Sequence, residues 1–273
     1  MLPQLLGCDF SSAPSRRKPV VHAIGRLDRG RVRLERVLTF ETLDAWAAAL
    51  AEPGPWVGGF DLPFGLPRAL VEHLGWPGQW ADCMAHYASV PRADIRAAFV
   101  AFCAARPAGG KFAHRATDGP AGSSPSMKWV NPPVAFMMHA GVPRLLAAGV
   151  HFPGLHPGDP GRVALEAYPG LLARELIGQR SYKSDDRSRQ TAQRLIARKD
   201  LVDALEQGRS RLGLRLMLSH AQRESLVHDA SGDRLDAVLC LLQAAWGWQQ
   251  HHNGHPCYGL PTFDPLEGWI VTA

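Results

Sequence analysis

Five carboxylates stand where a packed interior is expected. Asp9 follows Leu5-Leu6-Gly7-Cys8, Asp61 follows Trp56-Val57-Gly58-Gly59-Phe60, and Glu166 follows Val163-Ala164-Leu165. Each closes or interrupts a short apolar run of the kind that forms a buried strand. Asp233 and Asp236 lie three apart, so both fit one face at the start of an apolar helix. A buried carboxylate is costly unless it is paired or holds a cation. One acid at a strand end reads most simply as a cap or turn former, and Asp233 suits the positive end of a helix. Three acids on three strands, with Asp236 inside an apolar stripe, ask for more. The carboxyl ends of strands in open α/β sheets are where ligands bind. Acids converging there need cations, and hard divalent ions with oxygen ligands, Mg²⁺ or Mn²⁺, suit them. Two such ions about 4 Å apart form the clamp used for in-line phosphodiester hydrolysis.

The elements that must position these acids follow from the apolar patterning. Residues 4–10, 19–27 and 31–40 read as three strands, the last two joined at Asp28-Arg29-Gly30, a tight-turn signal. Residues 42–50 read as a helix stopped by Glu52-Pro53-Gly54-Pro55, and 56–60 as a further strand. The block 66–150 is mainly helical, with helices expected at 67–74, 80–87, 94–105 and 134–148. Within it, 106–131 is rich in glycine and proline, the pattern of a lid, a binding loop or a disordered segment. A strand at 162–168 precedes helical stretches at about 170–177, 185–207 and 215–227. Leu235, Val238, Leu239, Leu242 and Trp246 mark a strong closing helix, 233–250, and 267–272 reads as a short final strand. One domain over 1–273, with a helical insertion at about 66–150, is the expected organisation.

Composition narrows the class. With 46% hydrophobic and 20% charged residues the chain is an ordinary globular sequence, and a mostly disordered chain is excluded. No apolar run approaches the roughly 18–20 residues of a membrane span, and the opening residues do not read as a signal peptide. Five cysteines without a Cys-x-x-Cys pair read as free thiols in a reducing compartment, so a soluble cytoplasmic protein is expected. The net charge of +5 leans only slightly toward a polyanionic partner.

Taken in order, Gly7-Cys8-Asp9, Gly59-Phe60-Asp61-Leu62-Pro63-Phe64-Gly65-Leu66-Pro67, Glu166-Ala167-Tyr168-Pro169 and Asp233-Arg234-Leu235-Asp236-Ala237 resemble the domain of unknown function 429 family, as does the closing Glu267-Gly268-Trp269-Ile270. The similarity spans essentially the whole chain. Members of that family are predicted ribonuclease-H-like nucleases. The resemblance therefore implies an α/β fold: a mixed sheet of a three-strand meander plus parallel strands, flanked by helices, with a helical insertion. It also implies Asp9, Asp61, Glu166 and Asp236 as catalytic metal ligands, with Asp233 a fifth candidate. The position of Glu166 on the fifth strand departs from a classical ribonuclease H, and fold does not dictate function.

Other clusters carry less. Lys111, Arg115, Lys128 and Lys183 are candidates for neutralising phosphates of a DNA or RNA substrate, although solvated basic loops look the same. His251, His252, His255 and Cys257 lack the spacing of a recognised zinc set. There is no Walker loop, no Gly-x-Gly-x-x-Gly after a strand, and no Gly-x-Ser-x-Gly, so neither a nucleotide cofactor nor a serine nucleophile has a signal. The expected activity is a divalent-metal-dependent nuclease. The alternatives are a non-catalytic nucleic-acid-binding or scaffold protein on the same fold, or a phosphotransferase of the actin-like superfamily.

Overall fold

A computed structural model describes residues 2–52 and 54–273. The chain opens with β1 (Gln4–Asp9), β2 (Val20–Asp28), β3 (Arg31–Phe40), α1 (Leu43–Ala51) and β4 (Trp56–Asp61). Five helices follow: α2 (Arg68–His73), α3 (Trp80–Ser89), α4 (Arg92–Ala104), the single turn α5 (Asp118–Ala121) and α6 (Val134–Ala147). The chain then returns to the sheet with β5 (Val150–His151) and β6 (Asp159–Glu166). It ends with α7 (Pro169–Ile177), α8 (Ala192–Glu206), β7 (Arg215–Met217), α9 (His220–His228) and α10 (Asp233–His252).

The result is an α/β architecture with a seven-stranded mixed sheet in the order β5-β6-β4-β1-β2-β3-β7. β1, β2 and β3 form an antiparallel meander, while β4 and β6 extend the sheet parallel to β1. The β2–β3 turn has positive φ at both Arg29 and Gly30, the geometry that matches strand twist in a two-residue hairpin. Thr42 caps α1 by accepting from the Ala45 N–H at 3.1 Å.

Strand alternation divides the core into two layers. Leu5, Val57, Val163 and Leu165 face α7, α8, α9 and α10; Leu6, Cys8, Phe60 and Ala164 face α1 and the helices between β4 and β5. α10 is buried almost all round from Leu235 to Ala245, and it lies across β1, β2 and β4. Glycines let it come that close. A Cβ at Gly7 would meet the Ala237 carbonyl oxygen at 2.0 Å, and one at Gly59 would meet that of Cys240 at 2.5 Å.

Several expectations need correction. Residues 215–217 are strand rather than helix, and α9 starts only at His220, where Ser219 and Gln222 form a capping box. The helix expected from 185 begins at Ala192, after a 3₁₀ turn at Arg187–Arg189. The closing strand reduces to a single bridge between Ile270 and Glu166. The loop 106–131 is no open lid, because Ala113, Arg115, Thr117, Asp118, Ser126 and Met127 are buried. No helix among the described residues is long and apolar enough to cross a membrane.

Candidate functional site

The carboxyl ends of β1, β4 and β6 open into a cavity of about 820 Å³. Its acidic wall is built by two Gly-x-Asp steps. Gly7 and Gly59 are directly paired across β1 and β4, and so, two residues on, are Asp9 and Asp61. Period-two alternation puts both acids on the face that the glycines open to α10. Directly before Ala237, which contacts Gly7, α10 presents Asp236, fully buried, and a turn earlier Asp233 at its first position. The helix N-terminus favours negative charge at both.

These groups respond strongly to one another. Burial pushes the Asp9 carboxyl well above the usual range, reinforced by Asp236, Asp233 and Asp61 and opposed by Lys183. Burial, then Asp236, pushes Asp61 up to about 7. Burial also raises Asp233, with the Lys18 ammonium at 3.9 Å pulling the other way. Asp236 is fully engaged: Tyr182 donates its hydroxyl to Oδ1 and Lys183 its ammonium to Oδ2. Among the described residues, no side-chain hydrogen bond or ion pair reaches Asp9 or Asp61, although the Lys183 ammonium acts on both from farther off.

Glu166 enters the same cavity from the other side of the sheet. Its register partner on β4 is Phe60, not Asp61, so its side chain emerges on the opposite face from Asp9 and Asp61. There Arg115 grips it with two bonds, Nη1 to Oε2 at 2.8 Å and Nη2 to Oε1 at 2.6 Å, while the Phe64 N–H donates to Oε2 at 2.9 Å. Burial raises the Glu166 carboxyl and Arg115 offsets part of that. Arg115 also bonds Asp118 and the Glu267 carbonyl. Asp9, Asp61, Asp233 and Glu166 all line the cavity, Glu166 from the opposite face and held by Arg115, while Asp236 stands buried behind Asp9 and Asp61 in its bonds to Tyr182 and Lys183.

The basic candidates also separate. Lys183 lies in the acidic wall, and Arg115 is buried in its ion pairs, 3% exposed, rather than offered to a phosphate. Lys111 and Lys128 are not among the residues lining the cavity; Lys128 donates to the Asn131 carbonyl at 2.6 Å. The cations that do line it, besides Lys183 and Arg115, are Lys18, Arg174 and Arg180. Sequence reasoning missed these and Tyr182. A visible signal existed for Lys18, which ends the basic triplet Arg16-Arg17-Lys18 shortly after Asp9.

The remaining motifs hold the frame. A Cβ at Gly65 would lie 2.4 Å from the carbonyl oxygens of both Leu266 and Glu267, so the segment after Asp61 is pressed against the chain's closing turn. Glu267 fastens it there, accepting from the Arg68 N–H at 2.8 Å and the Ala116 N–H at 2.9 Å. His251 is stacked on Tyr258, ring centroids 4.3 Å apart.

Among the described residues, no three His, Cys, Asp or Glu side chains stand together in ready ligand geometry for one ion. The donor chemistry at Asp9 and Asp61 nevertheless fits a hard cation: two desolvated carboxylates, side by side, without protein donors, facing a cavity. Comparison with protein-family models, with curated proteins and with solved structures finds no match to this chain.

Proposed function

We propose that this chain is a divalent-metal-dependent phosphodiesterase of nucleic acid, built on a ribonuclease-H-like fold. The observation that carries the reading is the pairing of Asp9 with Asp61 at the mouth of the cavity, Asp9 buried and Asp61 half-buried, both without a side-chain hydrogen-bond donor among the described residues. The sheet order supports the fold: an antiparallel meander followed by parallel β4 and β6, with a closing helix that donates an acid.

Asp9 and Asp61 hold Mg²⁺ or Mn²⁺, and Asp236 and Asp233 complete the acidic wall. Bound there, the ion supplies a Lewis acid for a phosphoryl oxygen and lowers the pKa of a coordinated water. Lys18, Arg174 and Arg180 line the same cavity and draw the phosphate backbone in. Glu166 and Arg115 act as positioning residues, fixing β6 to the segment that follows Asp61.

The test pairs Mn²⁺ calorimetry with cleavage of labelled single- and double-stranded DNA and RNA, on wild type and Asp9→Asn. Metal binding and cleavage, both lost in Asp9→Asn, are expected. Binding without cleavage of any nucleic acid would leave a metal site that serves other phosphoesters. No binding at millimolar Mn²⁺ would overturn the reading in favour of a non-catalytic scaffold.

A further inference from the structure

We infer that Lys183 is a permanent second cation of this site, so that the chain holds one divalent ion and not two. The inference rests on the metal-dependent reading above. It starts from how the charges are answered. Asp236 is answered by Lys183, and Asp233 by Lys18, which it shares with the exposed Asp185. Asp9 and Asp61 are left without an ion pair of their own, the nearby Lys183 ammonium being bonded to Asp236, and a single divalent ion matches the two carboxylates.

The Lys183 side chain is 42% exposed, but its backbone and stem are placed by the fold. Its neighbours are tied down on both sides: Arg198 donates to the Tyr182 carbonyl at 2.7 Å, and the Ser184 N–H donates to the Ala230 carbonyl at 3.1 Å. Arg198 is itself buried and also bonds the Val227 carbonyl at 2.6 Å. The stem of Lys183 lies against the residue that precedes α10. A Cβ at Gly232 would fall 2.6 Å from the Lys183 Cβ, and Gly232, with φ of 80°, is also in the left-handed region. The ammonium and the Tyr182 hydroxyl together occupy both oxygens of Asp236. A second metal ion at Asp236 would have to displace both, whereas nothing among the described residues has to leave Asp9 and Asp61.

An ammonium fixed beside the ion does part of the electrostatic work that a second metal does in a two-ion clamp, neutralising charge near the reacting phosphate without needing to be loaded. Mn²⁺ titration of the full chain, followed by electron paramagnetic resonance of free Mn²⁺, counts the ions directly. Wild type and Lys183→Arg are expected to bind one Mn²⁺ per chain, and Lys183→Met two, because Asp236 then lacks its cation. Two ions in wild type, or one unchanged ion in Lys183→Met, would overturn the inference while leaving the metal-dependent reading intact. No ion in wild type would overturn that reading and this inference with it. If Lys183→Met fails to fold, the wild-type count still decides between one ion and two.

Discussion

Gly7 lies directly beneath Ala237: the helix backbone is so near the strand that a Cβ on Gly7 would sit 2.0 Å from the Ala237 carbonyl oxygen. This contact sets the height at which Asp236 stands over Asp9. The neighbouring atoms are main chain, which cannot turn aside as a flexible side chain does. Gly7→Ala is therefore expected to lower stability by about 3 kcal/mol or more, the upper part of the range for overpacked cores. Urea unfolding measures this, and Mn²⁺ affinity should fall with it as α10 is lifted.

Arg115 is expected to matter to stability more than to binding. It joins Glu166 to Asp118, and all three are buried. Arg115→Met leaves two buried carboxylates without their cation, a loss of about 3–5 kcal/mol by analogy with other broken buried pairs. Adding Glu166→Gln to that variant should restore part of the loss. Additive effects of the two changes in denaturant midpoints would contradict the coupling.

The acidic wall should also leave a mark on the pH dependence of stability. Asp61 is pushed up to about 7 from an ordinary 3.8. Between those values the folded chain keeps a proton that the unfolded chain has released, so this contribution falls as pH rises, by at most about 1.4 kcal/mol per unit. His22 acts in the opposite sense. Burial lowers its imidazole to about 3 from 6.5, and its contribution is lost as pH falls through that window. Asp61→Asn removes only the first effect. In metal-free buffer the variant should gain stability relative to wild type from about pH 4.5 to about pH 7; parallel curves would refute the assignment.

The cations that line the cavity predict a salt signature. For Lys18→Gln or Arg180→Gln, the slope of log affinity against log salt should flatten by about 0.7 on single strands or about 0.9 on duplex per phosphate contact removed. Lys111→Gln should leave it unchanged, since Lys111 lies outside the cavity lining. Filter binding across a salt series, with Asp9→Asn as the background to prevent cleavage, measures all three.

Much of this frame is legible in the residues themselves. The meander, β4, β6 and α10 announce themselves through apolar runs with clear ends, and the Gly-x-Asp repeats place Asp9 and Asp61 on one face once their strands are paired. Glu166 shows where such reading stops. It ends an apolar run just as Asp61 does, but the β4–β6 register sets it beside Phe60, and a one-residue offset turns a side chain to the other face. Register is a relation between two segments and is written in neither. Tyr182, and the pairing of Lys183 with Asp236 rather than with a phosphate, escape for another reason: the stretch after α7 has no periodicity, and its shape is imposed by Arg198 and by the backbone before α10. β7 is only three residues long, too short to alternate visibly.

The acidic wall joins β1, at residues 4–9, to α10, at residues 233–252. A chain emerging from the ribosome with its N-terminus first therefore makes β1 more than two hundred residues before α10, the other half of the site. The hairpin of β2 and β3 can form early from local contacts, but β1 must wait for the helix that its glycine was left bare to receive. Without α10, Asp9 loses the helix that presents Asp236 and Asp233 beside it, so the acidic wall is completed only when that helix docks.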